Sequence, residues 1–153
     1  MNRPSDEDWM RRALRQAEMA MERDEVPVGC VIAHEGRMVA GAHNLRETLS
    51  DPTAHAELIA LTQAAAALGD WRLEGTTVYC TLEPCCMCAG ALVNARVTRL
   101  VYGLADQKSG ACGSVMNVLQ MPQLNHRVEV RGGVLADEVL ELMQGFFKLQ
   151  RCK

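Results

Sequence analysis

The chain has 153 residues, of which 48% are hydrophobic and 23% charged, and its formal net charge is −3 at pH 7. This size and composition predict one globular domain over residues 1–153. No apolar run approaches the ~20 residues of a membrane-spanning helix, and the acidic, polar start of the chain is unlike a secretory signal peptide. These features exclude an integral membrane protein, argue against extended phosphate binding along duplex nucleic acid, and predict a cytoplasmic location.

Hydrophobic periodicity, turn residues and helix caps predict nine elements of regular structure. In chain order these are a helix over residues 6–23, two hairpin strands over 26–33 and 37–44, a helix over 54–68, a strand over 77–82, a helix over 85–94, two strands over 99–103 and 127–131, and a helix from residue 135 onward. Residues 104–125 form a long irregular segment with one helical turn predicted near 115–120. Loops of this length are usually functional or disordered.

Helices alternate with strands after the hairpin, which predicts a partly parallel sheet with helices on both faces. We therefore expect an α/β fold, a three-layer α-β-α sandwich with a central five-stranded mixed sheet.

Seven cysteines cannot all pair internally, because their number is odd. Three of them, Cys85, Cys86 and Cys88, lie within four positions. In a reducing compartment this clustering favours metal binding or catalysis over disulfides. Cys80 lies in a predicted strand, where a free thiol behaves as a small buried hydrophobe.

Two short segments carry the chemistry: HAE at residues 55–57 and PCCMC at residues 84–88. They supply His55, Cys85 and Cys88 as three metal ligands and Glu57 as a carboxylate beside them. A structural zinc site uses four protein ligands, whereas a catalytic one leaves a position for water. The joint pattern of H-x-E and P-C-x-x-C is the signature of the zinc nucleobase deaminases.

Helix geometry restricts how these residues can meet. Cys85 and Cys88, three positions apart, project about 60° apart around a helix, so both thiolates can face one ion. His55 and Glu57, two positions apart, would project about 200° apart within a helix. We therefore expect both at the very start of their helix, so that two helix N-termini converge on one metal.

The pattern predicts one Zn²⁺ per subunit with water as its fourth ligand. Glu57 would take a proton from the zinc-activated water, and it would protonate the ring nitrogen and then the departing amine. Two other interpretations stay open. A thioredoxin-like redox motif at Cys85 and Cys88 would leave His55 and Glu57 unexplained, and a structural Cys₃His site would use Cys86.

The chain resembles the bacterial tRNA-specific adenosine deaminases of the cytidine-deaminase-like superfamily. The matching segments are EVPVG at 25–29, DPTAHAE at 51–57, TLEPCCMCAGA at 81–91, DQKSGACGS at 106–114 and NHRV at 125–128. The zinc motif fits the whole superfamily, whereas the last two segments favour the tRNA branch. The resemblance implies hydrolytic conversion of adenosine to inosine at wobble position 34 of a tRNA(Arg) anticodon. It also implies a homodimer with active sites near the subunit interface.

The same resemblance implies contacts with a tRNA anticodon stem-loop. The residues concerned are Asn44 for the base or ribose, Val26 and Pro27 for the pocket lining, and Asp106, Lys108 and Ser109 for neighbouring nucleotides. A plain turn residue at Asn44 and a solvated loop around Asp106 are the structural alternatives. Alternative functions are a deaminase of free guanine, cytosine or deoxycytidylate with the same zinc site, and a non-catalytic zinc-stabilised RNA-binding module.

Overall fold

The computed structural model describes residues 3–153, which form four helices and five strands in the predicted order. Their bounds are α1 (Asp6–Glu22), β1 (Gly29–His34), β2 (Arg37–His43), α2 (Ala56–Leu68), β3 (Thr76–Leu82), α3 (Cys86–Asn94), β4 (Arg99–Leu104), β5 (Glu129–Arg131) and α4 (Ala136–Arg151). Within this described part of the chain, no helix has the length and apolar character needed to span a membrane.

The five strands form one mixed sheet in the order β2-β1-β3-β4-β5. Strand β1 is antiparallel to both β2 and β3, and β3, β4 and β5 are parallel to one another. The hairpin supplies the antiparallel half, and α3 provides the crossover that parallel neighbours β3 and β4 require. The predicted five-stranded mixed sheet is confirmed.

Apolar side chains cover both faces of the sheet. On one face, Leu61 of α2 and Leu92 of α3 belong to the larger buried cluster with sheet residues such as Val78. On the other, Trp9 and Met10 of α1 pack with residues from β1, β3 and β4, and α4 lies beside α1. Helices therefore flank the sheet on both sides, and the predicted three-layer α-β-α sandwich is confirmed.

Local signals explain where several elements begin and end. The Asp8 amide donates to Ser5 Oγ at 3.1 Å and the Ser5 amide donates to Asp8 Oδ2 at 2.9 Å, which completes the capping box of α1. A Cβ on Gly29 would lie 2.0 Å from the Ala13 carbonyl oxygen. The close approach of α1 to the start of β1 therefore requires glycine at position 29.

The two largest differences from the sequence-based expectation concern the start of β1 and residues 115–120. Strand β1 begins at Gly29 instead of residue 26, and Pro27 within the intervening segment has no N–H to donate to a sheet. The helical turn predicted near 115–120 is wrong. Cys112 and Asn117 form an isolated antiparallel bridge there, and the Val118 amide donates to the carbonyl of Ala111 at 2.9 Å, seven residues earlier, instead of to a helical partner.

Candidate active site

The N-termini of α2 and α3 meet at one edge of the sheet and bring together the residues of the two motifs. His55 is the N-cap of α2 and has extended backbone angles, φ −76° and ψ 149°. Cys85 is the N-cap of α3, and Cys88 lies in its first turn. His55 therefore precedes its helix while Glu57 lies within the first turn, which removes the conflict that their two-residue spacing would create inside a helix.

The donor atoms are spaced as one small ion requires. His55 Nδ1 lies 3.7 Å from Cys85 Sγ and 3.5 Å from Cys88 Sγ, and all three donor atoms lie within 4.8 Å of one another. A tetrahedral zinc ion with ordinary Zn–N and Zn–S bond lengths separates nitrogen from sulfur by about 3.6 Å. The three side chains therefore fit a metal ion with three protein ligands, and Cys86 is exposed and lies outside the group.

The local electrostatics favour a thiolate at the first cysteine. Hydrogen bonds from the side chains of Cys88 and His55 lower the pKa of Cys85 to about 3. The bond to Cys85 raises the pKa of His55 above its ordinary value. A thiolate is the form of cysteine that binds metal, so Cys85 is prepared for ligation.

Glu57 is buried at 4% exposure, and this burial raises the pKa of its carboxyl group. Its Oε1 atom finds no hydrogen-bond partner among residues 3–153. A buried carboxylate oxygen without a partner costs free energy. Because the residue also lines the cavity beside His55 and Cys85, its oxygen is suited to hold a small polar ligand such as water.

A cavity of about 160 Å³ opens in front of these groups. Its lining comes from both halves of the chain and consists of Val26, Val28, Asn44, Arg46, His55, Ala56, Glu57, Leu82, Glu83, Cys85, Asp106 and Ser109. Apolar and polar groups thus converge beside the candidate metal ligands, as expected of a small-molecule or base-binding site.

Four of the six residues predicted to contact substrate line this cavity: Val26, Asn44, Asp106 and Ser109. Pro27 is buried outside the lining, and Lys108 is exposed outside it. Sequence reasoning gave no role to two charged lining residues, Arg46 and Glu83. Arg46 follows Asn44 by two positions and Glu83 precedes Cys85 by two, so proximity to the motifs was the available signal.

Asn44 follows β2 directly and is 7% exposed. Its Nδ2 donates to the Val26 carbonyl at 3.3 Å, and its Oδ1 accepts from the Arg46 amide at 3.1 Å. An asparagine amide has two N–H donors and two acceptor lone pairs. These bonds orient the side chain and leave it half of its hydrogen-bonding capacity for a ligand.

Asp106 organises the opposite wall. Its Oδ1 accepts from the amides of Lys108 at 3.0 Å and Ser109 at 3.2 Å, and its Oδ2 accepts from Ser109 Oγ at 2.8 Å. Burial opposes ionisation of this carboxyl, but these donors outweigh it and lower the pKa of Asp106. The wall is therefore an ordered turn and not a freely solvated loop.

Comparisons with known proteins agree with this geometry. The family model described as MafB19-like deaminase matches residues 4–151. The chain is 48% identical over 148 residues to the tRNA-specific adenosine deaminase of Bacillus subtilis (strain 168), an alignment that covers 97% of this chain and 92% of the relative.

Solved structures show the same fold. A chain from a study of A-to-I editing by tRNA:A34 deaminases at the wobble position of transfer RNA superposes with a TM-score of 0.84 and 43% identity, covering 88% of this chain and 97% of that one. A guanine deaminase from Nitrosomonas europaea gives a TM-score of 0.81 at 22% identity, covering 93% of this chain and 84% of that one, and shows the fold alone. With these relatives and the motif geometry together, the chain belongs to the bacterial tRNA-specific adenosine deaminases, a family with the cytidine-deaminase-like fold.

Proposed function

We propose that this protein hydrolyses adenosine to inosine at wobble position 34 of a tRNA(Arg) anticodon. One observation carries the proposal: an imidazole and two thiols that could hold a metal ion meet beside a cavity lined by Glu57, a buried carboxylate with one oxygen that has no partner within residues 3–153. The similarity to deaminases of tRNA adenosine supports the choice of substrate.

The metal we propose is one Zn²⁺ per subunit, held by His55, Cys85 and Cys88. Two thiolates and an imidazole suit zinc, and three protein ligands are typical of a catalytic site and not of a structural one. When bound, zinc would polarise a water molecule and lower its pKa toward about 7.

Glu57 is the proposed proton carrier. Its carboxylate accepts a proton from the attacking water, and burial keeps that proton within the site. The same group gives this first proton to the purine ring nitrogen as the water oxygen bonds to the ring carbon. It then takes the second proton from that oxygen and passes it to the exocyclic amine. The carbon–nitrogen bond breaks, ammonia leaves, and the oxygen remains on the ring carbon as a carbonyl. The raised pKa of Glu57 favours this exchange, because the carboxyl then holds a proton more readily near neutral pH.

The base would enter the cavity as a nucleotide turned out of its loop. RNA-binding proteins mostly read single-stranded loops, through stacking and through hydrogen bonds to base edges. Asn44 supplies a donor and an acceptor for such an edge, and Val26 offers an apolar surface. Asp106, Lys108 and Ser109 would contact the neighbouring nucleotides. We also propose a homodimer located in the cytoplasm.

The test compares RNA with free bases. An anticodon stem-loop carrying adenosine at position 34 is incubated with zinc-loaded protein, and inosine and ammonia are both measured. We expect inosine at position 34 and no release of ammonia from free guanine, cytosine or deoxycytidylate. A stem-loop from another tRNA that also carries adenosine at position 34 tests the tRNA(Arg) preference. Turnover of a free base with none on RNA would contradict the proposal.

A further inference from the structure

Glu83 is a second buried carboxylate beside the cavity, at 2% exposure, and the mechanism above gives it no role. Its Oε1 accepts from the Asp106 amide at 3.1 Å and from the Ser114 hydroxyl. Its Oε2 accepts from the amides of Cys112 at 2.9 Å and Ser114 at 3.1 Å. All four bonds come from one loop, residues 105–118, which connects β4 to the segment before β5.

These bonds satisfy the carboxylate completely. An ionised carboxylate has about four acceptor positions, and burial without partners would cost free energy. With every position engaged by the loop, Glu83 has no acceptor capacity to offer a substrate. Its hydrogen bonds can therefore influence the site only by way of the residues that it holds.

The hydrogen bonds between Glu83 and residues 105–118, the Glu83 anchor, connect the metal donors on one side of the site to the wall that carries Asp106 on the other. Glu83 stands two positions before Cys85, in the turn that leads into α3. The intervening Pro84 carbonyl accepts from the Ala111 amide at 2.9 Å, which adds a backbone bond to the same loop. The turn that presents a metal donor thus also fixes the wall that carries Asp106.

Gly110 lets the carboxylate reach this position. A Cβ on Gly110 would lie 2.4 Å from Glu83 Cδ and 2.5 Å from the Asp106 carbonyl oxygen. A side chain at position 110 would therefore push the loop away from Glu83, so glycine is required by the close approach.

A local explanation for the wall is insufficient. The bonds from Lys108 and Ser109 to Asp106 span three residues at most and define the shape of that turn. They do not connect the turn to α3. Hydrogen bonds to Glu83 come from residues that lie 23 to 31 positions later in the chain. These long-range bonds place the turn at Asp106 relative to the metal donors.

We infer that Glu83 is a positioning residue for substrate binding: it sets the distance between the metal donors and the wall formed by Asp106 and Ser109. The inference rests on the proposed function. In Glu83→Gln, an NH₂ group must replace one oxygen and face donors that already point toward it, so the loop should detach from the turn before Cys85.

The experiment uses zinc-loaded, full-length protein with the variants Glu83→Gln and Gly110→Ala. Glu74→Gln, at an exposed position, and Gly145→Ala, where a Cβ would meet nothing within 4 Å, are the matched controls. Hydrogen exchange followed by mass spectrometry should show faster exchange in residues 105–118 of the two test variants, with α2 and the sheet unchanged. Their KM for the stem-loop should rise by about tenfold while kcat stays within roughly threefold, the pattern of lost binding without lost chemistry.

Ser114→Ala removes one of the four bonds. It should increase hydrogen exchange in residues 105–118 and the KM for the stem-loop by smaller amounts, and it replaces Glu83→Gln in the experiment if that variant does not fold. Unchanged hydrogen exchange in residues 105–118 would contradict the proposal that Glu83 holds this loop. Faster exchange with an unchanged KM would contradict the proposal that Glu83 positions the loop for substrate binding. Wild-type protein that deaminates no stem-loop, with the exchange change still present, would instead contradict the proposed function.

Discussion

At the scale of single residues, three buried glutamates of the described chain differ in what their oxygens do. The Glu25 carboxylate accepts hydrogen bonds from the amides of Glu47 at 3.0 Å and Thr48 at 2.6 Å. The Glu83 carboxylate accepts four hydrogen bonds from residues 105–118. Glu57 has an oxygen without a protein partner within residues 3–153. The first two hold loops near the cavity, and the exception lies beside the candidate metal donors, where a bound water or substrate group would complete an otherwise unsatisfied oxygen.

We expect Glu57→Gln to abolish the proton transfer while it keeps the shape of the side chain. General acid–base catalysis contributes a factor of about 10²–10⁴ to a reaction rate, so the rate of deamination should fall by a factor in that range. Zinc content, measured by elemental analysis, should stay near one per chain because Glu57 is not in the donor group.

Glu74→Gln, the same change at an exposed position, is the control and should keep full activity. Retained activity in Glu57→Gln would remove this residue from the mechanism, and loss of zinc would identify it as a ligand.

At the scale of elements, an ion cluster ties α1 to the sheet at the end away from the cavity. The Asp6 carboxylate accepts two bonds from Arg99, at 2.9 and 2.7 Å, and others from Arg131 and the Tyr79 hydroxyl. The hydrogen bond from Arg99 is the largest effect that lowers the pKa of Asp6, which reaches about 2. The helix N-terminus adds to this preference for a negative charge.

This cluster predicts a pH-dependent contribution to stability. The folded pKa of Asp6 lies below the unfolded value of about 3.9, so the stabilisation is complete above pH 4 and is lost as pH falls toward 2. Asp6→Asn should therefore lower the free energy of unfolding at pH 7 by about 1–2 kcal/mol, after allowance for solvent screening. Urea unfolding at several pH values measures the difference, which should shrink between pH 4 and pH 2.

Asp24→Asn is the control for that experiment. Asp24 pairs with Lys153 at 2.6 Å, but both side chains are exposed, and an exposed pair contributes about 0–1 kcal/mol. A larger loss from Asp24→Asn than from Asp6→Asn would contradict the account of the cluster.

The elements whose signals are local were predictable from sequence. The Ser5–Asp8 capping box and Gly69 each act within a few residues, and they mark a start of α1 and an end of α2 as expected. The failed helical turn near 115–120 follows a loop that is held from a distance: the amides of Cys112 and Ser114 bind Glu83, about 30 residues earlier, and the Val118 amide then donates to the Ala111 carbonyl instead of to a helical partner. Glu83 has such long-range bonds itself, so its closeness to Cys85 was the available signal for it, as closeness to Asn44 was for Arg46.

At the scale of the whole molecule, the sheet topology explains why the cavity forms where it does. Because β1 is antiparallel to β2 and β3, its beginning lies beside their ends, and Gly29 pairs with His43. The parallel strand β4 ends at the same edge. This topology gathers Val26, Asn44, Glu83 and Asp106, each next to a strand end, at one edge of the sheet. The carboxyl ends of parallel strands are the usual ligand site of such sheets.

The proposed metal would link α2 to α3 at this edge, so its removal should weaken the whole fold. At a free zinc concentration 1,000 times the Kd, binding adds about 4 kcal/mol to stability. Since roughly 2–4 °C in Tm corresponds to 1 kcal/mol for a chain of this size, chelation should lower Tm by about 8–16 °C. Far-UV circular dichroism at 25 °C should change little, because both apolar clusters are built from residues other than the ligands.

The chain supplies its own control for that measurement, since Cys86 and Cys88 lie two positions apart on α3. Cys88 is buried in the donor group, whereas Cys86 is exposed outside it. Cys88→Ser should abolish both the zinc content and the effect of the chelator on Tm, and Cys86→Ser should preserve both. If Cys86→Ser also lost the metal, the site would be a closed Cys₃His centre with no place for water. The deaminase mechanism would then have to be abandoned, because a four-ligand zinc site leaves no position from which water could be activated.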